Sequence, residues 1–487
     1  MTSQPASIDD LTDVLTQLDQ RASAHREALE SLVAIPGISA EGFDPGELRR
    51  SAEAVRQVAL AHGCDRADLL EVEGAPPAVL AERDAAPDGH DAPTVLLYAH
   101  HDVQPPGDTE AWTSPPFEPT EADGRLYGRG TADDKAGLMA HLAAVDAWAR
   151  ARGGPPCHVK LLVEGEEEVG STHLSAFLAA HGDRLRADAV VVADTVNWKV
   201  GVPTLTTSLR GLVDATVEVR ALDHTVHSGM YGGPVPDPVT ALTKLLAGAV
   251  DDHGAVAIPG FADDARPLSD AERHTLRQLD FDVETFRAEA GLLEGVPLAG
   301  DPDAHPLERL WRRPHLTVVG FDAPEVAGAA NALQPAARAK VSVRLAPGQD
   351  PHRARRRLVE WLQGNTPFGL QVEATPGTAA APFEADTAHP AVRAAADALA
   401  LAYGRETVLA GLGGSIPLIE PLTQRLGDVP VLMVGIEDPD TRAHGIDESL
   451  HLADFARACS GQARLLQALA RSARPAEAWR NHAGEVS

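Results

Sequence analysis

Apolar residues follow two patterns along the chain. In the first, short unbroken runs end abruptly on ionisable side chains. Residues 93–105 read PTVLLYAHHDVQP, so the run at 95–98 gives way at once to His100, His101 and Asp102. Residues 158–163 (HVKLLV) lead into EGEEEVGS at 164–171, and 189–193 (AVVVA) lead into Asp194. Such runs suit strands of a parallel sheet covered on both faces, whose carboxyl ends collect ligands. Helical spacing fills the intervals, at 8–34 (Leu11, Val14, Leu15, Leu18, Leu29, Leu32 and Val33, stopped by Pro36), 45–62 and 138–151. A weaker strand is expected at 78–81, and a long loop over 107–126, where Pro, Thr, Gly and acids accumulate.

The second pattern begins after Ser208. Residues 211–221 alternate, with Leu212, Val213, Ala215, Val217 and Val219 marking a half-exposed antiparallel strand, and 316–319 and 339–345 do the same. Helices at 238–250 and 352–364 and a strand at 370–375 accompany them, and an Asp- and Pro-rich insert occupies 251–313. The first pattern then resumes with a helix at 389–403, the Gly-rich GLGGS at 411–415, a strand at 429–434 and a helix at 454–474; the last dozen residues read as a frayed tail. The expected fold class is α/β. A catalytic domain with a mostly parallel sheet flanked by helices is built from 1–208 and 379–487, and a small α+β domain is inserted at 209–378.

Composition narrows the partners. A chain of 487 residues with 44% hydrophobic content can bury two cores. Lys plus Arg at 42 against Asp plus Glu at 71 gives a formal charge of −29, which repels phosphate backbones and anionic lipid and excludes nucleic acid and membrane as partners. Cys64, Cys157 and Cys459 match no zinc or redox spacing, which points to a reducing compartment. The polar, acidic start carries no signal-peptide pattern, and no apolar run is long enough to span a bilayer. A cytoplasmic enzyme is expected.

The candidate chemistry sits where the strands end. Glu166, Glu167 and Glu168 would repel one another unless a cation joined them. Asp133 and Asp134, in YGRGTADDKAG at 127–137, precede a helix, where ordinary N-capping is the commoner role for such residues. Lys135 is expected to pair with neighbouring acids, and the Gly-rich run lacks the third Gly or Gly-Lys-Ser of a nucleotide loop. His444, in RAHGIDES, completes a set of imidazoles and carboxylates that zinc accepts. Charge balance favours two divalent ions, matched by three ligand carboxylates and one hydroxide, with one carboxylate spare to take a proton from water.

AHHDVQP, YGRGTADDKAG, EGEEEVGS, VADT, HSGMYGG, VSVRLAPGQDP and GGSIP together resemble the di-zinc exopeptidases and amidohydrolases that include carnosinases, other cytosolic dipeptidases, aminoacylases and carboxypeptidase G. The resemblance covers nearly the whole chain, and the Gln-Pro ending and long insert are most similar to the dipeptidase branch. It implies that His100 and Asp194 hold one zinc (Mn2+ or Co2+ being the alternatives), Glu168 and His444 the other, and Asp133 both. It further implies Glu167 as general base and Asp102 as the clamp fixing the His100 tautomer. Glu166 is left a bystander, and His101, His141 and His224 structural. The inserted domain is implied to be a lid that also forms a homodimer. From it, His227 would reach the partner's site to stabilise the oxyanion, Arg344 would bind the substrate carboxylate, and Asn331 would assist, with Ser415 contacting substrate.

One departure bears on substrate: where these dipeptidases usually read Arg-Glu-Gly-Gly-Ser, this chain has Gly411, Leu412, Gly413, Gly414 and Ser415. The expected function is hydrolysis of a peptide or amide bond next to a free carboxylate, by a metallo-dipeptidase. An N-acyl-amino-acid amidohydrolase using the same site is the alternative, and a non-catalytic metal-dependent binding protein is a more distant one.

Overall fold

A computed structural model describes residues 11–87, 91–427 and 429–472. Residues 8–10 and 473–474, expected in the first and last helices, and the expected frayed tail lie outside them. The chain divides into two compact units, one of residues 1–207, 385–410 and 416–487, the other of 208–384 and 411–415.

The first unit is built on a mixed sheet ordered Arg66–Leu70, Ala78–Arg83, His158–Glu164, Thr94–His100, Ala189–Val196, Val431–Glu437, Thr204–Leu209. The four inner strands from His158–Glu164 to Val431–Glu437 are parallel, and the outer ones antiparallel. From Val95 to Ala99 every side chain is buried, so the apolar run has helices or loops on both faces. Val95, Leu97 and Ala99 join one core with the helices Thr12–Val33, Lys135–Arg152, Pro390–Tyr403 and Leu452–Ser472. Helix Lys135–Arg152 is buried from Lys135 through Trp148, which explains its Ala- and Leu-rich sequence. It approaches the sheet closely at Gly137, where a Cβ would lie 2.0 Å from Asp134 Oδ1 and 2.1 Å from the Ala193 carbonyl.

Several expectations give way here. Arg66–Leu70 is a strand that the short, charged segment RADLL did not signal, because its alternation has only one polar face of two residues. The stretch 107–126 is no plain loop: Thr120–Ala122 pairs with Arg125–Tyr127, which in turn pairs with Ser449–His451. Among the described residues Lys135 pairs with no acid. Its Nζ donates to the Leu32 and Ile35 carbonyls, 3.0 and 3.1 Å away, tying off the C-terminus of the first helix, and burial pushes it down to about 8.

The second unit is a four-stranded antiparallel sheet ordered His315–Asp322, Ala336–Leu345, Gly211–Arg220, Gln371–Ala380. Helices Pro238–Ala247 and Pro351–Gly364 share a core with one face, through Val213, Val217, Val341, Val343, Leu242 and Leu358. The 251–313 insert carries three short helices, Asp270–Gln278, Val283–Glu289 and Pro306–Arg312. The first of these starts on a Ser269–Glu272 capping box, a local signal strong enough to set a helix in a polar segment.

Candidate metal centre

In the first unit the parallel strands deliver their terminal side chains to one place. His100 ends Thr94–His100, Asp194 lies near the end of Ala189–Val196, and Glu167 and Glu168 form a single turn after His158–Glu164. Asp133 precedes helix Lys135–Arg152, and His444 sits in the loop after Val431–Glu437 with a left-handed backbone, φ +61°. A non-Gly residue pays for that conformation, and such strain gathers at functional sites.

Asp133 stands between two clusters. Its Oδ1 lies 3.0 Å from His100 Nε2, which is 3.9 Å from Asp194 Oδ1. Its Oδ2 lies 2.9 Å from His444 Nε2, which is 3.1 Å from Glu168 Oε2. Two ligand atoms each ~2.0 Å from a tetrahedral zinc are about 3.3 Å apart, so these separations bracket the edges of such a site. His100, Asp133 and Asp194 form one group able to hold an ion, and Asp133, Glu168 and His444 another. The donor set fits two divalent ions sharing one carboxylate.

The surrounding hydrogen bonds aim these groups. His100 Nδ1 lies 3.0 Å from the Asp102 backbone carbonyl and 3.5 Å from its carboxylate, which leaves Nε2 free to accept an ion. The Asp102 carboxylate chiefly receives the N–H groups of Glu167 and Glu168, at 3.2 and 3.1 Å. Asp102 thus sets the Glu167–Glu168 turn as well as the His100 ring, more than the clamp role alone. Glu166 is not a bystander: buried, it accepts from the His173 N–H at 2.8 Å and the Thr172 hydroxyl at 3.2 Å, pinning the same turn from behind. Neither Asp133 nor Asp134 caps the helix with its side chain; Asp134 Oδ2 accepts the His100 N–H at 3.2 Å.

Three contributors escaped the sequence reading. Gln104 donates through Nε2 to Glu168 Oε2, 3.0 Å away, and through its backbone N–H to Oε1 at 3.1 Å. Fully buried Glu448 accepts from the N–H groups of Gly130, Ala132 and Asp133 and from Arg129 Nη1, 2.6 Å away, fixing the loop that presents Asp133. Glu437, at the end of its strand, is raised well above the usual carboxylate range by burial, with Asp133 and Glu448 adding to the effect. The Gln in VQP and the Glu in IDES stood inside motifs already singled out; nothing in the sequence pointed to Glu437.

The cluster is electrostatically strained without a cation. Burial raises Asp194 well above its ordinary value, with Asp134 adding and His100 opposing. Burial likewise pushes Glu167 up to about 8; His100 opposes, and Asp102, Glu168 and Asp133 reinforce it. The carboxylates of Asp133 and Glu168 hold His444 up at about 10, and Asp102 and Asp133 raise His100 against its burial. Such opposed shifts mark a site arranged around positive charge.

The remaining predicted residues belong to the second unit. His227 Nδ1 accepts the Gly229 N–H at 3.0 Å, which assigns the ring proton to Nε2, and the Asn331 carbonyl accepts the Ser228 N–H; Asn331 immediately precedes the strand Ala332–Leu333, which pairs with Val226–His227. Arg344 is half-buried on Ala336–Leu345, and Ser415 ends the 411–415 loop.

Comparison with known proteins agrees with this geometry. Residues 96–468 match the model of peptidase family M20/M25/M40. A cysteinylglycine-S-conjugate dipeptidase of Corynebacterium striatum is 36% identical over 378 residues, 77% of this chain and 81% of that protein. The crystal structure of human carnosine dipeptidase 1 superposes with a TM-score of 0.79 at 26% identity, covering 96% of this chain and 99% of that one. An M20 family metallo-carboxypeptidase from Sulfolobus solfataricus gives 0.80 at 27% identity, over 92% and 99%. With most of its length matched by the family model and its strand ends converging on two ligand clusters, the chain belongs to peptidase family M20/M25/M40.

Proposed function

We propose that the protein is a metal-dependent dipeptidase that cleaves a peptide bond next to a free carboxylate. The observation that carries this is the pair of ligand clusters sharing Asp133, with Glu167 beside them. His100 and Asp194 would hold one ion, Glu168 and His444 the other, and Asp133 both; the chemistry of the set suits Zn2+, with Mn2+ or Co2+ as alternatives. Two such ions supply Lewis acidity, which polarises the scissile carbonyl and lowers the pKa of water. Glu167 takes the proton of the attacking water and passes it to the leaving nitrogen. Asp102 holds Glu167 in place through its backbone N–H.

His227, protonated at Nε2, donates to the oxyanion at the partner subunit's site, with Asn331 assisting. Arg344 takes the substrate carboxylate, which suits a guanidinium fork, and Ser415 contacts the substrate. This requires the second unit to act as a lid and to join two copies of the chain. The exposed apolar side chains Val318, Val319 and Phe321 on the edge strand His315–Asp322 support that pairing. Among the described residues no helix is long and apolar enough to cross a membrane. With its buried free cysteines, this supports a cytoplasmic enzyme.

Turnover of Ala-Ala, β-alanyl-histidine and N-acetyl amino acids separates the readings. The dipeptides are expected to be hydrolysed at least ~100-fold more efficiently than any N-acetyl amino acid. Hydrolysis confined to N-acetyl amino acids would favour the amidohydrolase.

A further inference from the structure

The second unit holds a cluster of positive charge that its own carboxylates do not answer. Arg344 lies directly opposite His315 on one neighbouring strand and Leu212 on the other. Arg344, His315 and Leu212 share the sheet face turned away from the helices, and Arg210, two residues before Leu212 and just ahead of the strand Gly211–Arg220, lines one cavity with His315. Arg210 is only 8% exposed. Its Nε donates to the Gly413 carbonyl at 3.1 Å and its backbone N–H to the Leu412 carbonyl. Among the described residues no carboxylate comes within ion-pair distance of Arg210, Arg344 or His315. Burial and the nearby Arg344 push Arg210 down to about 10, and burial and Arg210 lower His315. A buried guanidinium without a counter-ion is unfavourable until an anion arrives.

Beside this cluster lies a cavity of about 350 Å³ within the same unit. Arg210, His315, Arg309 and Arg313 line it together with Phe286 and Leu310. Arg309 is committed to the backbone carbonyls of Ala299, Pro302 and Ala304, and Arg313 to Glu308. Asp301, the acidic lining residue, accepts the Asp303 N–H. Arg210 is therefore the cation left over, with the His315 imidazole, which burial and Arg210 keep neutral, beside it. The chain packs closely on Arg210 just after the strand Val408–Leu412: a Cβ at Gly413 would come 3.0 Å from Arg210 Nη2. Leu412 brings no acid to its backbone partner Arg210, at the position where the Arg-Glu-Gly-Gly-Ser pattern has Glu.

Resting on the dipeptidase reading, in which Arg344 takes the α-carboxylate, we propose that Arg210 and His315 form a second anion subsite for the side-chain carboxylate of the substrate's C-terminal residue. The preferred substrates are then dipeptides ending in Glu or Asp. A neutral C-terminal residue offers one negative charge to the two clustered guanidiniums; an acidic one offers two, on a single amino acid whose carboxylates are a few ångströms apart.

The test compares Ala-Glu with the near-isosteric Ala-Gln on the metal-loaded enzyme, and in parallel the binding of free L-glutamate and L-glutamine by calorimetry. Wild type is expected to favour Ala-Glu over Ala-Gln by at least ~10-fold in kcat/KM, and L-glutamate over L-glutamine similarly in affinity. In R210M both ratios should fall towards one, with R210K intermediate because it keeps the charge but loses the fork. Equal handling of the acidic and neutral ligands by wild type, or unchanged ratios in R210M, overturns the subsite. Should no dipeptide be cleaved while L-glutamate still binds selectively through Arg210, the subsite stands and the dipeptidase reading fails.

Discussion

Glu167→Ala is expected to bind divalent metal as wild type does and to lose about 10²- to 10⁴-fold in kcat, the span a positioned proton-transfer group contributes. Glu167 is not one of the five residues that make up the two ligand clusters; it enters through its backbone N–H, held by Asp102 at 3.2 Å. Removing the carboxyl therefore deletes the proton acceptor and leaves every candidate ligand in place. In the ion-free protein burial pushes Glu167 up to about 8, with Asp102, Glu168 and Asp133 adding to it against the pull of His100. Neighbouring cations lower such a carboxyl, which brings a base into its working range near neutral pH. Equal metal content with near-normal turnover would remove Glu167 from the role; loss of metal would make it a ligand instead.

Asp133→Ala should affect both clusters at once. Asp133 is the member they share, each oxygen facing a different histidine, at 3.0 and 2.9 Å. Substituting any one of the outer ligands removes a contact from one cluster alone. The variant is expected to fall from two bound ions per chain to fewer than one, with activity lost at ordinary metal concentrations. Chelation of wild type provides the matching pH signature. A carboxyl whose folded value, about 8, exceeds its ordinary 4.5 penalises the ion-free fold. That penalty is absent below about pH 4.5 and complete above about pH 8, because the folded state binds the extra proton between these limits. Removing metal should therefore lower Tm more at pH 8 than at pH 6. A chelator effect that shrinks as pH rises would argue against a cation at this cluster.

The sequence carried the parts of the site whose signal is local. Each inner strand is a continuous apolar run that stops on its functional side chain, so His100, the Glu167–Glu168 pair and Asp194 could be placed at strand ends before any coordinates. Parallel strands brought to a common edge then do the rest. What could not be read depends on contacts between distant segments. Lys135 reaches back to carbonyls at Leu32 and Ile35, and Glu448 gathers amides from Gly130 to Asp133. Neither partner is implied by spacing. Glu437 shares its motif with no other functional residue and is distinguished only by burial next to Asp133 and Glu448. The short helices of the 251–313 insert were missed for another reason: Asp270–Gln278 buries only Leu276, so hydrophobic periodicity is nearly silent, although its capping box could have been found.

Side chains between positions 100 and 444 are proposed to hold a pair of cations. Anomalous diffraction from zinc-loaded crystals tests it most directly. Two peaks about 3.5 to 4 Å apart are expected, one bounded by His100, Asp133 and Asp194 and the other by Asp133, Glu168 and His444. A single peak not touching Asp133, or zinc found only elsewhere on the protein, would contradict it.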